Sequence, residues 1–562
     1  MTKLTGGQAV VKTLEVEGAE VAYGILGSHC MPTFDALADS SIRLIVPRCE
    51  DAAGHMADAY TRVSNNPGVV LTTVGPGACG VASAMGEAYN ESWPMMHIST
   101  QIMTQYMGKE KGLYHDGPNQ KDMFKPVSSW QHTVTSAGEI PEAINEGYRR
   151  MRTGRPRPVF IEIPSDVLIN EDEIKILPRA NVTPPPIKES ELKDALDLIK
   201  KSKRPLLWFG GGTVKANAMA EVKQLAEMLQ APVLCTNGSK GVLSEDHPLA
   251  LGNLLTISDT LQNELLAKAD VVLGVGIRFS QRATKQWTVP MPDTIIHADI
   301  DKAEFGKNYA AKVAVEGDAK VFLQSLMTAL EKEGFKAERN RCDEVTALKK
   351  KAIDELKKKQ PAVFDIMLEI RDMLPRDAVV ASQSIMGHWT RFGFECYQPG
   401  SFLFANTFGC MGFSFHAAVG AKAAFPDRKI IAFCGDGGFT YGSGELATLQ
   451  QYNLAMPVIV FNNGGYSIIR QRQDAKYGRN IGTVLTSPDY VKLAEAYGFK
   501  GIKINTPDEL VPAIRKALDD NTTWIIEVPF EFEGYRTPAE TEMLMTGKAS
   551  TDSWKKQSYE TK

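Results

Sequence analysis

KIIAFCGDGGF at 429–439 and MPVIVFNNGG at 456–465 decide how this chain is read. Each is an apolar run of strand length that stops at glycine and one oxygen-bearing side chain. Continuous apolar runs of this kind mark strands buried on both faces of a parallel sheet. Between them, GSGELATLQQ at 442–451 has a helical pattern. Strand, helix and strand thus deliver Asp436 and Asn463 to the same edge of one sheet. Gly435, Gly437, Gly438 and Gly465 let backbone approach a ligand closely. Helix N-termini after such loops present N–H groups to phosphate oxygens. One carboxylate, one carboxamide oxygen and one backbone carbonyl, completed by water and two phosphate oxygens, make the octahedral all-oxygen shell that magnesium takes. No softer ligand for iron or copper is nearby. Either loop alone is an ordinary turn; the two together, Asn463 lying 27 positions after Asp436, say more.

Outward from this stretch, the pattern repeats. VVASQS (379–384), KGIKI (500–504) and TWIIEVP (523–529) are further strands of a segment spanning 361–545. Residues 1–175 alternate in the same way, with strands VAYGILG, RLIVPRCE, GVVLTTVG, MMHISTQ and PVFIEIP and helical stretches such as DAAGHMADAYTRV. The proline run TPPPI at 183–187 reads as an extended linker. A middle segment, 190–340, starts with RPLLWFGGG and continues through DVVLGVGIRF and TIIHADID. The charged stretch 336–360 reads as a solvated, helix-prone connector, and 546–562 as a polar tail, loose or folded over a site. The fold class is α/β: three domains of parallel sheets flanked by helices, the middle one Rossmann-like.

Length supports that count, since 562 residues suggest three or four domains. A net charge of −4 gives no broad attraction to nucleic acid or anionic membrane. No apolar run approaches the ~20 residues of a membrane span, and the N-terminus, read as the start of an amphipathic helix, lacks the apolar core of a signal peptide. Cys30, Cys49, Cys79, Cys235, Cys342, Cys396, Cys410 and Cys434 form no CxxC pair. They read as reduced structural thiols, and a cytoplasmic enzyme fits.

GDG followed by NN resembles the diphosphate-binding signature of the thiamine-diphosphate enzyme superfamily. RCEDAAGHMADAYTR (48–62) resembles its R-H-E-x-x-A-x-x-M-A-x-G-Y-A-R segment, with Cys49 in place of the histidine. TTVGPGACG (72–80) is similar to its T-S-G-P-G-x-x-N loop, with Gly80 in place of asparagine. NTFGCMGFSFHAAVGAKAA (406–424) resembles its G-x-M-G segment. The likeness implies that Asp436, Asn463 and the Gly465 carbonyl bind Mg2+ and that Glu50 activates thiamine diphosphate. A carboxyl doing that work needs a largely apolar pocket; by its own pattern Glu50 is simply an acid at a helix start. The implied cofactor contacts are Glu50, Pro76, Ser382, Gln383, Ser384, Gly409, Met411 (beneath the thiamine), Gly435, Asp436, Gly437, Gly438, Asn463, Gly465, Tyr466, Ser467 and Ile468. Active sites would form between the first domain of one subunit and the third of another, making a homodimer or homotetramer.

Within the superfamily the likeness is to acetolactate synthases, which decarboxylate one 2-oxo acid and join it to another. GVGIRFSQRATKQW (274–287) resembles their middle-domain stretch. LALGNLLTISDT (249–260) does not match their flavin-linked segment, and Arg472 stands where their tryptophan belongs; both argue against FAD. A second likeness is to benzaldehyde lyase, which has G-x-x-G-A-H where this chain has Gly24 to His29, and glutamine where this chain has His115. Both histidines would face the reacting carbon and handle protons; a capping, core or surface histidine is the plainer reading of each. Arg470, Arg472, Lys476 and Arg479 form either an anion-binding cluster or a solvated face. Small 2-oxo acids, aldehydes or hydroxy ketones are the expected substrates. The alternatives are a hydroxy-ketone lyase, a CoA-dependent 2-hydroxyacyl lyase, an FAD-linked 2-oxo acid oxidase and a non-catalytic cofactor-binding subunit.

Overall fold

The computed structural model describes residues 1–117, 119–359, 361–383 and 390–529. Ser384 and the tail 546–562 lie outside them. Among the described residues three six-stranded sheets form, every pairing within them parallel. Their inner strands are almost wholly buried, which is why the sequence shows continuous Val/Ile/Leu runs rather than alternation.

The first sheet runs Arg43–Ile45, Val21–Gly24, Gly68–Thr72, Met95–Gln101, Val159–Pro164, Trp130–Thr133. The last runs Phe402–Phe404, Val379–Ser382, Ile430–Gly435, Pro457–Asn462, Trp524–Pro529, Lys500–Lys503. Numbered by chain order within each sheet, both are 2-1-3-4-6-5, so the two outer domains share one winding. The middle sheet has the dinucleotide-fold order 3-2-1-4-5-6: Ala250–Gly252, Val233–Cys235, Pro205–Phe209, Val271–Val275, Ile295–Asp299, Val313–Glu316. In each sheet the chain leaves the first strand in one direction and later returns on its other side. Ligands of open α/β sheets bind in the crevice at that reversal, beyond the strands' carboxyl ends. His29 and Pro76 follow the two strands at the first reversal, Glu50 follows the edge strand beside them, and Asp436 follows a strand at the last reversal.

Four short strands of the three six-stranded sheets escaped the sequence pattern: Trp130–Thr133, Ala250–Gly252, Val313–Glu316 and Phe402–Phe404, all at sheet edges. At the N-terminus, Thr2–Thr5 pairs antiparallel with Glu171–Ile174 before helix Gly6–Glu17 begins under a Thr5/Gln8 capping box. The charged stretch read as a solvated connector is corrected: helix Cys342–Lys359 buries Val345, Leu348 and Ala352 along one stripe. Its Glu355 accepts from the Ser258 hydroxyl at 2.7 Å, and its Lys349 Nζ binds Glu395 at 2.5 Å. Three apolar residues at helical spacing were enough to dock it.

The outer domains pack through helices Glu50–Ser64 and Phe413–Ala424. Gly420 sits against Met56 so closely that a Cβ there would stand 2.4 Å from the Met56 Cα. Tyr23 Oη donates to the Gly420 carbonyl at 2.9 Å, and Arg43 donates to the carbonyls of Ala423 and Ala424 at 2.9 and 2.8 Å.

Candidate active site

In the third domain, strand Ile430–Gly435 ends at helix Asp436–Gly442. The Asp436 carboxylate is buried. Its Oδ1 accepts the Gly437 N–H at 2.9 Å and its Oδ2 accepts the Gly465 N–H at 2.7 Å, so it staples the two strand-end loops. Gly465 has φ +148°, and a Cβ there would stand 2.0 Å from the Thr483 carbonyl oxygen. No other residue fits.

The adjacent asparagines divide their work. Asn462 Nδ2 donates to Glu527 Oε1 at 2.9 Å, and its Oδ1 accepts from the Ser487 hydroxyl at 3.0 Å and the Gly464 N–H at 3.2 Å. Asn463 Oδ1 is buried with no hydrogen-bond partner. A buried amide oxygen left unpaired costs roughly 1–3 kcal/mol. A hard cation would satisfy it. The Gly465 carbonyl accepts from Ser467 N–H at 2.9 Å, which leaves its second lone pair. One buried carboxylate, one unpaired amide oxygen and one carbonyl fit an oxygen-liganded divalent cation. Among the described residues no cluster of three His, Cys, Asp or Glu side chains suits a softer metal.

Around this centre, a Cβ on Gly437 would meet the Tyr466 ring at 2.6 Å, and one on Gly438 the Gln383 amide at 3.2 Å. Gln383 Nε2 donates to the Cys410 carbonyl at 3.2 Å, joining the Gly435–Gly438 loop to the turn that carries Met411. Met411 is partly exposed and sits between Gly409 (φ +81°) and Gly412 (φ +83°). Gly435 has open space on its side-chain face. The buried Ser382 hydroxyl accepts from Thr390 Oγ1 at 2.9 Å. Tyr466 precedes helix Ser467–Tyr477, whose first residue is Ser467, while Ile468 packs into the domain core. Arg470 Nη2 donates to the Asn463 carbonyl at 3.3 Å; Lys476 and Arg479 are exposed.

In the first domain, Glu50 begins helix Glu50–Ser64 and lies over helix Pro76–Gly80. A Cβ on Gly80 would stand 2.8 Å from the Glu50 Cβ, and one on Gly77 3.5 Å from Glu50 Oε1. Glycine at 80, where the family pattern has asparagine, makes the space that Glu50 uses. Pro76, at the exposed start of that helix, follows Gly75 (φ +70°), over which the carbonyl of His115 (φ +66°) closes. His29 and His115 meet, their ring centroids 5.7 Å apart, and each has a buried Nδ1 without a partner. Burial first, and the neighbouring His115 second, hold His29 below the ordinary histidine range. Sequence adjacency gives no hint of this pair.

The family models that match the chain are the thiamine pyrophosphate enzyme N-terminal TPP binding domain at residues 4–123, the central domain at 192–326 and the C-terminal TPP binding domain at 384–528. A probable acetolactate synthase large subunit of Methanocaldococcus jannaschii is 35% identical over 544 residues, covering 93% of this chain and 92% of the relative.

The chain belongs to the thiamine pyrophosphate enzymes.

A probable 2-ketoarginine decarboxylase of Pseudomonas aeruginosa is 32% identical, covering 93% of this chain and 94% of that one. An acetolactate synthase large subunit of Haemophilus influenzae is also 32% identical, covering 92% of each. This thiamine pyrophosphate enzyme is therefore acetolactate synthase-like, with both thiamine-binding domains and the central domain in order. Among its described residues no helix is long and apolar enough to cross a membrane.

Sequence reading missed a cluster beside Glu50 in which two histidines are fully buried. Asp51 lies among His55, His416 and Tyr441, the last donating to it at 3.5 Å. Burial pushes the Asp51 carboxyl up to about 6 and His416 down to about 4, and holds His55 well below its ordinary value. Both histidines are therefore neutral at pH 7, and their 3.7 and 3.8 Å approaches to Asp51 are not ion pairs. Asp51 and His55 are one helical turn apart, a visible signal; His416 and Tyr441 join them only through the packing of the two outer domains.

At the reversal of the middle sheet, Gly210 to Gly212 and Gly276 to Arg278 face an open cleft that also takes in Lys215, Arg155, Asp299 and Asn406. The cleft lies between all three domains.

Proposed function

We propose that this thiamine pyrophosphate enzyme uses Mg2+ and cleaves or forms a carbon–carbon bond next to a carbonyl, decarboxylating a small 2-oxo acid and joining the fragment to a second carbonyl compound. The observation that carries the metal assignment is the buried, unpaired Asn463 Oδ1 beside the Asp436–Gly465 staple. Asp436, Asn463 and the Gly465 carbonyl would hold the cation, and the cation two phosphate oxygens. Gly437 and Gly438 would admit the diphosphate, with Tyr466, Ser467 and the Ser382–Gln383 strand end around it; Met411 would support the thiazolium ring.

Thiamine diphosphate, when bound, supplies a carbon nucleophile. Glu50 would share a proton with the aminopyrimidine, held in place by the packing of its stem on Gly80. His29 and His115, both at the first-domain reversal, would bind the substrate's oxygens and move protons to and from them. A neutral His29 can do either at pH 7.

Glu50 and Asp436 are read as coming from different subunits at each site, in a homodimer or homotetramer, and the cytoplasm is the compartment this chemistry fits. No step passes through a flavin. An FAD-linked oxidase would need the middle-domain cleft filled, and absorbance near about 450 nm in the purified protein would favour it. The decisive experiment incubates the protein with thiamine diphosphate, Mg2+ and a panel of 2-oxo acids and aldehydes, and reads products by mass spectrometry. Coupled or decarboxylated products are expected; none from any pairing overturns the reading.

A further inference from the structure

One face of helix Ala82–Glu91 carries Ser83, Gly86, Glu87 and Glu91, and each meets the third-domain segment Thr407–Cys410. The Thr407 hydroxyl donates to Glu91. The Phe408 ring lies 2.8 Å from where a Gly86 Cβ would be. The Gly409 N–H donates to Glu87 Oε2 at 2.9 Å, and the Ser83 hydroxyl to Cys410 Sγ at 3.3 Å. Met411 is the next residue.

Glu87 is fully buried. Its Oε1 faces Arg62 Nη2 at 3.4 Å. Arg62 in turn binds Asp58 Oδ2 at 2.7 Å, donates to the Phe404 carbonyl at 2.8 Å and lies 4.9 Å from the centre of the Phe413 ring. Arg62 thus touches both ends of the segment Phe404–Phe413, and Glu87 its middle. The segment needs such a hold: glycines in the left-handed region flank Met411, and glycine backbones reshape at little cost. A buried carboxylate accepting an N–H is among the stronger restraints available.

We propose that Glu87 is a positioning residue for thiamine diphosphate: by fixing Gly409 it sets where Met411 stands, with Arg62 clamping the segment's two ends. The proposal rests on Met411 lying beneath the thiamine. Burial pushes the Glu87 carboxyl up to about 7 against the pull of Arg62, with Glu91 and Asp58 adding repulsion. Further along the network, Lys215 and Arg278 face Glu91. The grip on Gly409 is therefore charge-assisted above about pH 7 and weaker below it.

The test titrates the full-length apoprotein with thiamine diphosphate in excess Mg2+, reading heat. Glu87→Ala is expected to raise the dissociation constant about tenfold or more, with kcat at saturating cofactor falling less than affinity does. Glu87→Gln keeps an acceptor for Gly409, so it is expected to rescue most of the affinity and to lose the wild-type strengthening on either side of about pH 7. Wild-type affinity in Glu87→Ala overturns the proposal. Met411→Ala is the control on its premise: unchanged affinity there, with a loss in Glu87→Ala, sinks the Met411 reading and the proposal with it. A wild-type protein that binds no thiamine diphosphate fails at the functional reading instead. Should Glu87→Ala not fold, hydrogen exchange on the wild-type apoprotein decides: the Gly409 amide is expected to be protected, and exchange at the unfolded rate overturns the proposal.

Discussion

The Gly465 N–H donates to Asp436 Oδ2 at 2.7 Å, so the loops after two neighbouring strands are locked together before any ligand arrives. The relationship explains why position 465 tolerates only glycine. Gly465→Ala would place a methyl 2.0 Å from the Thr483 carbonyl and force a strained φ, itself worth ~1–3 kcal/mol. A lower thermal midpoint and a weaker affinity for thiamine diphosphate are expected together, by differential scanning calorimetry and titration.

Asn463→Ala should separate ligand binding from stability. Asn463 Oδ1 makes no hydrogen bond, so its loss removes none. The apoprotein is expected to be at least as stable as wild type, because the substitution removes a buried oxygen that has no partner. The gain on adding Mg2+ and thiamine diphosphate, ~2.7 kcal/mol at about a hundredfold excess over Kd, is expected to vanish. An undiminished gain would remove Asn463 from the metal site.

Glu50→Gln and Asp436→Asn are each expected to lower kcat by at least ~100-fold. Mixing them after subunit exchange tests where the sites lie. If each site takes Glu50 from one chain and Asp436 from another, mixed dimers contain one intact site and activity returns. No recovery would place both residues in one chain's site. Gly80→Ala, pressing a methyl onto the Glu50 stem, is expected to lower kcat with the fold retained.

The histidine pair sets a pH limb. His29 is held below its ordinary value, so folding and activity both favour its neutral form. Stability from it is full above the unfolded value near 6.5 and is lost as pH falls. kcat/KM is expected to drop on the acid side, and His115→Gln, removing the second cause of the shift, is expected to move that limb to higher pH.

Asp51 acts with the opposite sign. Its carboxyl rises from 3.8 to about 6 on burial. The folded state holds the proton more tightly, so stability falls as pH climbs from about 4 to about 6, by at most about 3 kcal/mol. Asp51→Asn is expected to melt higher than wild type above about pH 6 and to converge with it below about 4. A variant that melts lower on the alkaline side would mean the charge is compensated.

The sequence by itself determined the inner strands of the three sheets, the order of the domains and the two strand-end loops proposed to hold a diphosphate and a metal. It could do so because buried parallel strands are written as unbroken apolar runs, and because Asp436 and Asn463 follow such runs directly. Edge strands such as Phe402–Phe404 were too short for periodicity to register. Charge density misled in a similar way: the stretch 336–360 is rich in lysines, yet Val345, Leu348 and Ala352 decide where its helix lies. Only the tertiary structure decided which of two adjacent asparagines is anchored and which has an unpaired oxygen, because Glu527 and Ser487 are distant in sequence. It alone brought His416 to Asp51 and Glu87 to Gly409. Each of those contacts crosses between elements or domains that the chain's local pattern places without orienting, and the chemistry of a site depends on that orientation.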